Sequence, residues 1–248
     1  MSTFVNILSE KRSYSGITMG KSCCMKGNDM TKLLITYFGA FEGVEKNPTR
    51  EIAENVGGAL AHTHPDVDVT LHELPVSFVG SSSELTRVLA ETSADAVLSL
   101  GVAVGREKIS IERVAINLDD ARIADNDGDK AQDRPIRPDA PAAYFTRLPY
   151  RHLVTEMTAQ NLPVEISDTA GTFVCNHVFY ELMHALASTE IPGGFVHIPA
   201  TRPDTDTASH AANMTAHPET GGIEGREVPT LPVNTVSNIV QRIAEAMV

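Results

Sequence analysis

The sequence predicts an α/β sandwich built on a mainly parallel sheet, and three observations carry that prediction. From residue 32 onward, short apolar runs alternate with longer segments of helical period. The run Ala96–Val102 is apolar without alternation, as a strand covered on both faces must be. Near Glu112–Arg113 a period-2 pattern changes phase, which predicts a bulge or bend and hence a mixed or partly curled sheet.

The elements follow in order. Leu33–Tyr37 reads as a short buried strand. Asn47–Pro48 opens a helix, with Asn as N-cap and Pro at the first helical position; Ile52, Val56 and Leu60 then share one face. Val67, Val69 and Leu71 alternate as a second strand. Ser81 with Glu84 forms a capping box, predicting a helix start there, with Leu85, Val88 and Leu89 inward. Ile109 and Ile111 share one parity, and Val114, Ile116 and Leu118 the other. Residues 119–149 are polar and rich in turn formers, a long loop of the kind that often carries function. A helix around Leu153, Val154 and Met157 leads to a strand at Val164 and Ile166. A glycine-containing turn precedes a helix with Val178, Phe179, Leu182 and Leu186, then a strand at Phe195–Ile198. Residues 199–229 read as loop, and Val233, Val236, Val240, Ile243 and Met247 mark a closing amphipathic helix.

Residues 1–31 show neither period and are read as a flexible N-terminal extension, leaving 32–248 as a single domain. Cys23–Cys24 in that extension has no nearby His or second pair to build a metal or redox centre. With 248 residues and 42% hydrophobic content the chain can bury a sizeable core. No apolar run approaches the ~20 residues of a membrane helix. A net charge of −12, no Trp and 5% aromatic residues argue against a nucleic-acid partner. Three cysteines cannot make a disulfide framework, which points to a reducing compartment, the cytoplasm by default.

Candidate chemistry gathers in the second half. Cys175 falls at a helix start, where the helix dipole favours thiolate and unpaired amides can hold an oxyanion; a lone Cys is equally a small buried hydrophobe. His197 ends a strand and would approach Cys175 if both lie at one sheet edge; a satisfied core histidine is the bland alternative. His177 and His184 are rivals on the cysteine's own helix, with poor reach back to its sulfur. Glu112, at the phase break, could orient an imidazole, or could simply pair with Arg113. Phe38, Phe41 and Asn47 suit a flat apolar ligand, or else core packing and helix capping. Gly101–Arg106 lacks the third glycine of a dinucleotide fingerprint and the Gly-Lys-Ser/Thr of a P-loop. No HExxH or paired CxxC supports zinc.

Four stretches taken together resemble the pyroglutamyl peptidase I (pyrrolidone-carboxylate peptidase) family of cysteine peptidases. They are Thr36–Gly43 with Asn47-Pro48; Leu98–Arg106 running into Ile111–Asn117; Asp120–Asn126 with Pro141–Pro149; and Ser167–Asn176 followed by Gly194–Pro199. The resemblance implies a three-layer α/β/α sandwich of the phosphorylase/hydrolase type. It implies a nucleophile at Cys175, a histidine at His197, an acidic partner at Glu112 and oxyanion support from Arg122. It also implies a substrate pocket at Phe38, Phe41 and Asn47, no metal or other cofactor, and a cytosolic homo-oligomer, dimer or tetramer, acting on peptides with N-terminal pyroglutamate. Tyr37, Ala40 and Glu42 depart from the family pattern and are expected to reshape the pocket loop. A catalytically silent binder of cyclic amides and a nucleoside-phosphorylase-like enzyme are the competing readings.

Overall fold

The computed structural model describes residues 30–41, 44, 46–205, 210–211 and 228–248. Cys23, Cys24 and Glu42 lie outside them.

Strand β1 (Thr31–Phe38) leads to helix α1 (Pro48–Thr63), whose N-cap Asn47 accepts the Thr49 amide through its side chain. Strand β2 (Val67–Leu74) is followed by α2 (Phe78–Thr92). That helix starts a turn earlier than the Ser81–Glu84 box predicts. Ser77 is its cap, with extended backbone and Oγ accepting from Gly80 N at 2.9 Å. Asp125, distant in sequence, accepts from Phe78 N at 2.8 Å. Two carboxyl or hydroxyl acceptors on the first-turn amides outbid the local signal, and Ser81 is left fully buried inside the helix.

Strand β3 (Ala96–Val102) is buried at every residue, as its unbroken apolar run requires. Strand β4 (Ile109–Glu112) and strand β5 (Val114–Ile116) are separated at Arg113, where the side-chain phase changes. There the chain leaves the main sheet, for β5 pairs with β6 (Ala143–Phe145) in a separate ribbon. Helix α3 (Tyr150–Ala159), strand β7 (Val164–Ser167), helix α4 (Val174–Ala185) and strand β8 (Gly193–Ile198) follow. The stretch read as a loop after residue 199 contains β9 (Ala200–Arg202), β10 (His210–Ala211) and β11 (Val228–Pro232). These are too short and too widely spaced to show a period, and they exist through pairing with one another. Helix α5 (Val233–Glu245) closes the chain.

The main sheet has six strands in the order β2-β1-β3-β8-β4-β7. All neighbours are parallel except β4 and β8, so β4 and β7 run against the other four strands. Helices α1, α3 and α5 cover one face, packing Ile52, Leu60, Leu153 and Val240 against it. Helices α2 and α4 cover the other with Phe78, Leu85, Val178 and Phe179. The result is a three-layer α/β/α sandwich with a mixed, mainly parallel sheet. Each fully buried Leu or Phe contributes roughly 1.5–3 kcal/mol by removal from water.

Candidate active site

Gly101 and Ser110 flank His197 on β3 and β4 in the sheet ladders. A Cβ on Gly101 would stand 2.8 Å from the Phe195 ring and 3.0 Å from His197 Cδ2. Both rings therefore lie on the sheet face covered by α2 and α4, and the missing side chain leaves the imidazole its place. Phe195 packs 4.9 Å from the His197 ring, centroid to centroid, and fixes its tilt.

Glu112, the last residue of β4, is fully buried on the same face, and its Oε1 lies 2.7 Å from His197 Nδ1. Arg106, from the β3–β4 turn, donates to that same oxygen through Nη1 at 2.7 Å. Burial raises the carboxyl pKa, but the hydrogen bond and charge of His197, with Arg106 and Ser167, outweigh it, so Glu112 is held below its usual range. The Ser167 hydroxyl itself donates to Thr169 O at 3.0 Å, and Glu112 Oε2 has no hydrogen-bond partner among the described residues. Arg113 pairs with Asp168, not with Glu112, because the phase change turns its side chain away from the buried carboxylate.

Cys175 is the second residue of α4 and is half-buried. The first helical bond runs from His177 N to Phe173 O, and no side chain caps the helix, so the amides of residues 174–176 precede the helical ladder. The helix start is fixed by Asn176, which accepts from Ile116 N and donates to Ile116 O and Leu118 O at 2.9–3.0 Å. The connection from β7 carries Gly171 at φ 80, a left-handed conformation that glycine adopts without strain.

The route by which Cys175 reaches this face differs from the expected one. Strand β7 runs opposite to β8, so their C-terminal ends do not share an edge. What α4 and the His197–Glu112 pair share is a face of the sheet, with α4 packed on β8 through Phe179 and Phe195. The rival histidines are engaged elsewhere. His177 Nδ1 lies 2.9 Å from Asp119 while its Nε2 meets Ser82, and His184 meets Tyr144 Oη at 2.8 Å.

Cys175 lines a narrow cleft with Phe38, Phe41, Asn47, Val102 and Phe173. Phe38 ends β1, buried against the Phe195 ring at 6.4 Å. Phe41, which lines the cleft, exchanges backbone hydrogen bonds with Val44. Asn47 is buried and spends its amide on the scaffold, donating to Gly39 O at 3.0 Å and accepting from Thr49. Tyr37 points to the opposite face, into the α1 core, with the Arg50 guanidinium over its ring, so its bulk does not fill the cleft. Arg122 is exposed. Its neighbour Asp120 exchanges two hydrogen bonds with Thr172, which keeps this loop beside the start of α4.

Sequence reasoning missed Arg106, Gly101 and Asn176 as parts of the site. Their signals were an Arg closing a glycine-bounded turn after the central strand, a Gly inside that strand, and a polar residue directly after the cysteine.

A half-buried cysteine at a helix start, over a sheet face that holds a buried His–Glu pair, belongs on a hydrolase scaffold. A family model for pyroglutamyl peptidases matches residues 31–244. The chain is 39% identical over 194 residues to the pyrrolidone-carboxylate peptidase of Pseudomonas fluorescens, covering 78% of this chain and 90% of that one. It is 45% identical over 173 residues to pyrrolidone-carboxylate peptidase 1 of Ralstonia nicotianae, covering 68% and 79%. Among solved structures, pyroglutamyl peptidase I of Bacillus amyloliquefaciens superposes with TM-score 0.71 at 33% identity, over 88% of this chain and 96% of that one. The pyrrolidone carboxyl peptidase of Thermococcus litoralis gives 0.73 at 32%, over 88% and 93%. This chain belongs to the pyroglutamyl peptidase family and is a hydrolase of the cysteine peptidase class.

Proposed function

We propose that this enzyme removes N-terminal pyroglutamyl residues from peptides, with Cys175 as nucleophile, His197 as base and Glu112 as the group that orients His197. The observation that carries the reading is the buried His197 Nδ1–Glu112 Oε1 contact of 2.7 Å, on the face that α4 covers. A carboxylate on Nδ1 fixes the tautomer that leaves Nε2 to act on the thiol, and it stabilises the imidazolium that results.

In this mechanism His197 takes the Cys175 proton, and the thiolate attacks the carbonyl that follows the lactam ring. The first amides of α4 hold the oxyanion, with Arg122 drawn in from the adjacent loop. A lost oxyanion donor typically costs ~10²–10³ in turnover. Collapse of the tetrahedral intermediate expels the amine, which His197 protonates, and water then hydrolyses the thioester. Phe38 and Phe41 pack the faces of the ring. Asn47 acts through the segment it holds: with its own amide committed to Gly39 and Thr49, it fixes the Gly39–Phe41 backbone beside the ring. A site with buried polar partners rejects analogues that leave them unpaired, so open, charged N-terminal Glu is a poor substrate.

Residues 32–248 act as one peptidase domain. A thiol nucleophile suits a reducing compartment, in keeping with a cytoplasmic enzyme, and among the described residues no helix is long and apolar enough to cross a membrane. Assembly as a homo-oligomer belongs to the same reading, as the resemblance to the family implies. The decisive experiment is release from a pyroglutamyl reporter before and after thiol alkylation, with Cys175→Ser alongside. Full turnover after complete alkylation of Cys175 sinks the assignment; binding without turnover in the untreated protein favours the silent binder.

A further inference from the structure

We propose that Arg106 is a positioning residue that couples the catalytic pair to the segment carrying the nucleophile. This rests on the reading of Cys175, His197 and Glu112 given above. One guanidinium spans two chain segments. Its Nη1 donates to Glu112 Oε1 at 2.7 Å, and its Nη2 donates to Thr169 O at 3.1 Å. Thr169 lies in the connection between β7 and α4, whose second residue is Cys175. Glu112 sits on β4 and His197 on β8, so Arg106 ties the strand-borne pair to the connection that leads into the nucleophile's helix.

The guanidinium suits this task because its planar fork places two donors at fixed separation. A lysine ammonium is a single centre and can hold only one of the two acceptors well. Arg106 also shares Oε1 with His197 Nδ1, since both stand at 2.7 Å from that oxygen. The cation therefore has two effects. It offsets the charge of a fully buried carboxylate, and it opposes protonation of that carboxylate.

The charged and titratable groups around Glu112 come from several elements. They are His197 on β8, Arg106 in the β3–β4 turn, and Glu165 on β7, which accepts from Ser110 at 3.1 Å. The Arg113–Asp168 pair follows immediately on both chain segments. Of these, Arg106 is the cation in direct contact with the carboxylate. Its removal takes away one of the charges that hold the Glu112 carboxyl low, and so raises that group's proton affinity.

The test compares wild type, Arg106→Gln and Arg106→Lys by kcat, KM and the pH profile of kcat/KM on a pyroglutamyl reporter. In Arg106→Gln, kcat falls ~10–100-fold with KM nearly unchanged, and the acid limb moves up by about half to one pH unit. Arg106→Lys returns the acid limb to its wild-type position but leaves kcat low, and deuterium uptake at residues 169–175 is faster than in wild type. A fall in kcat with an unmoved acid limb in Arg106→Gln, or wild-type kcat in either variant, overturns the proposal. If Arg106→Gln does not fold, Arg106→Lys decides alone: wild-type kcat or wild-type uptake overturns the coupling. Cys175→Ser separates the two readings. If it keeps releasing pyroglutamate, the catalytic assignment itself fails; if it is inactive, the Arg106 variants judge only the coupling.

Discussion

His197 Nδ1 stands 2.7 Å from Glu112 Oε1, a diagonal pair across the one antiparallel joint of the six-stranded sheet. Ser110 is the residue directly opposite His197, and Glu112 lies two further along on the same face. Were β4 parallel to β8 like the remaining neighbours, the ladder would be slanted and offset, and the register would not give this pairing. The reversal of β4 and β7 is thus part of how the pair is built.

Glu112→Gln keeps the shape of the side chain but removes its charge and lets its amide donate toward the imidazole. Turnover is expected to fall on the order of 10²–10⁴-fold, with the protein still folded, because the tautomer and the imidazolium lose their support. Steady-state kinetics beside circular dichroism check this; wild-type kcat in the variant removes Glu112 from the mechanism.

The acid stability of the wild type depends on the same carboxylate. Burial alone would raise its pKa, but His197, Arg106 and Ser167 together hold it below the ordinary 4.5. A group depressed in the folded state stabilises the fold above its unfolded pKa, and that contribution is lost as pH falls through the folded value. Urea unfolding from pH 6 down to pH 3 should show a fall in wild-type stability, starting near 4.5, that is reduced in Glu112→Gln. Parallel curves would contradict the assignment of the shift.

Gly101→Ala places a methyl group 2.8 Å from the Phe195 ring and 3.0 Å from His197 Cδ2. Both rings must move, at a cost of about 1–3 kcal/mol for overpacking. The activity lost should exceed what the loss of folded protein explains, since the imidazole is displaced. Thermal melting and kcat measured on the same sample separate the two, and unaltered kcat would mean that the ring tolerates the shift.

Asn176→Ala removes three hydrogen bonds from the first turn of α4, two to Ile116 at the end of β5 and one to Leu118 just beyond it. Buried backbone groups are left without partners, so destabilisation of roughly 2–4 kcal/mol is expected. Cys175 alkylation should slow as the helix start loosens. A variant with wild-type melting temperature would show that water or a shifted loop replaces these bonds.

Asn47→Ala removes the N-cap of α1 and the tie to Gly39. The stability cost should be about 1 kcal/mol. KM for a pyroglutamyl reporter should rise by more than kcat falls, because in the proposed site the effect falls on the segment that packs the ring. A change in kcat alone would locate Asn47 in the chemical step instead.

The amino-acid order alone determined the alternation of strands and helices, the buried central strand at Ala96–Val102 and the phase break beside Glu112, because each is a local consequence of side-chain period. It also singled out Cys175 at a helix start, since turn, cap and apolar run are all near neighbours in the chain. Tertiary structure decided the rest. The start of α2 moved to Ser77 because Asp125 supplies an acceptor that no local pattern reveals. The small strands after residue 199 form only by pairing with one another. The direction of β7 placed the helix that carries Cys175 on a common face, not at a common edge, with His197, and the contacts of Gly101, Arg106 and Asn176 followed from that packing. Strand direction and long-range hydrogen bonds depend on which distant segments meet, and side-chain period records only which way each residue faces.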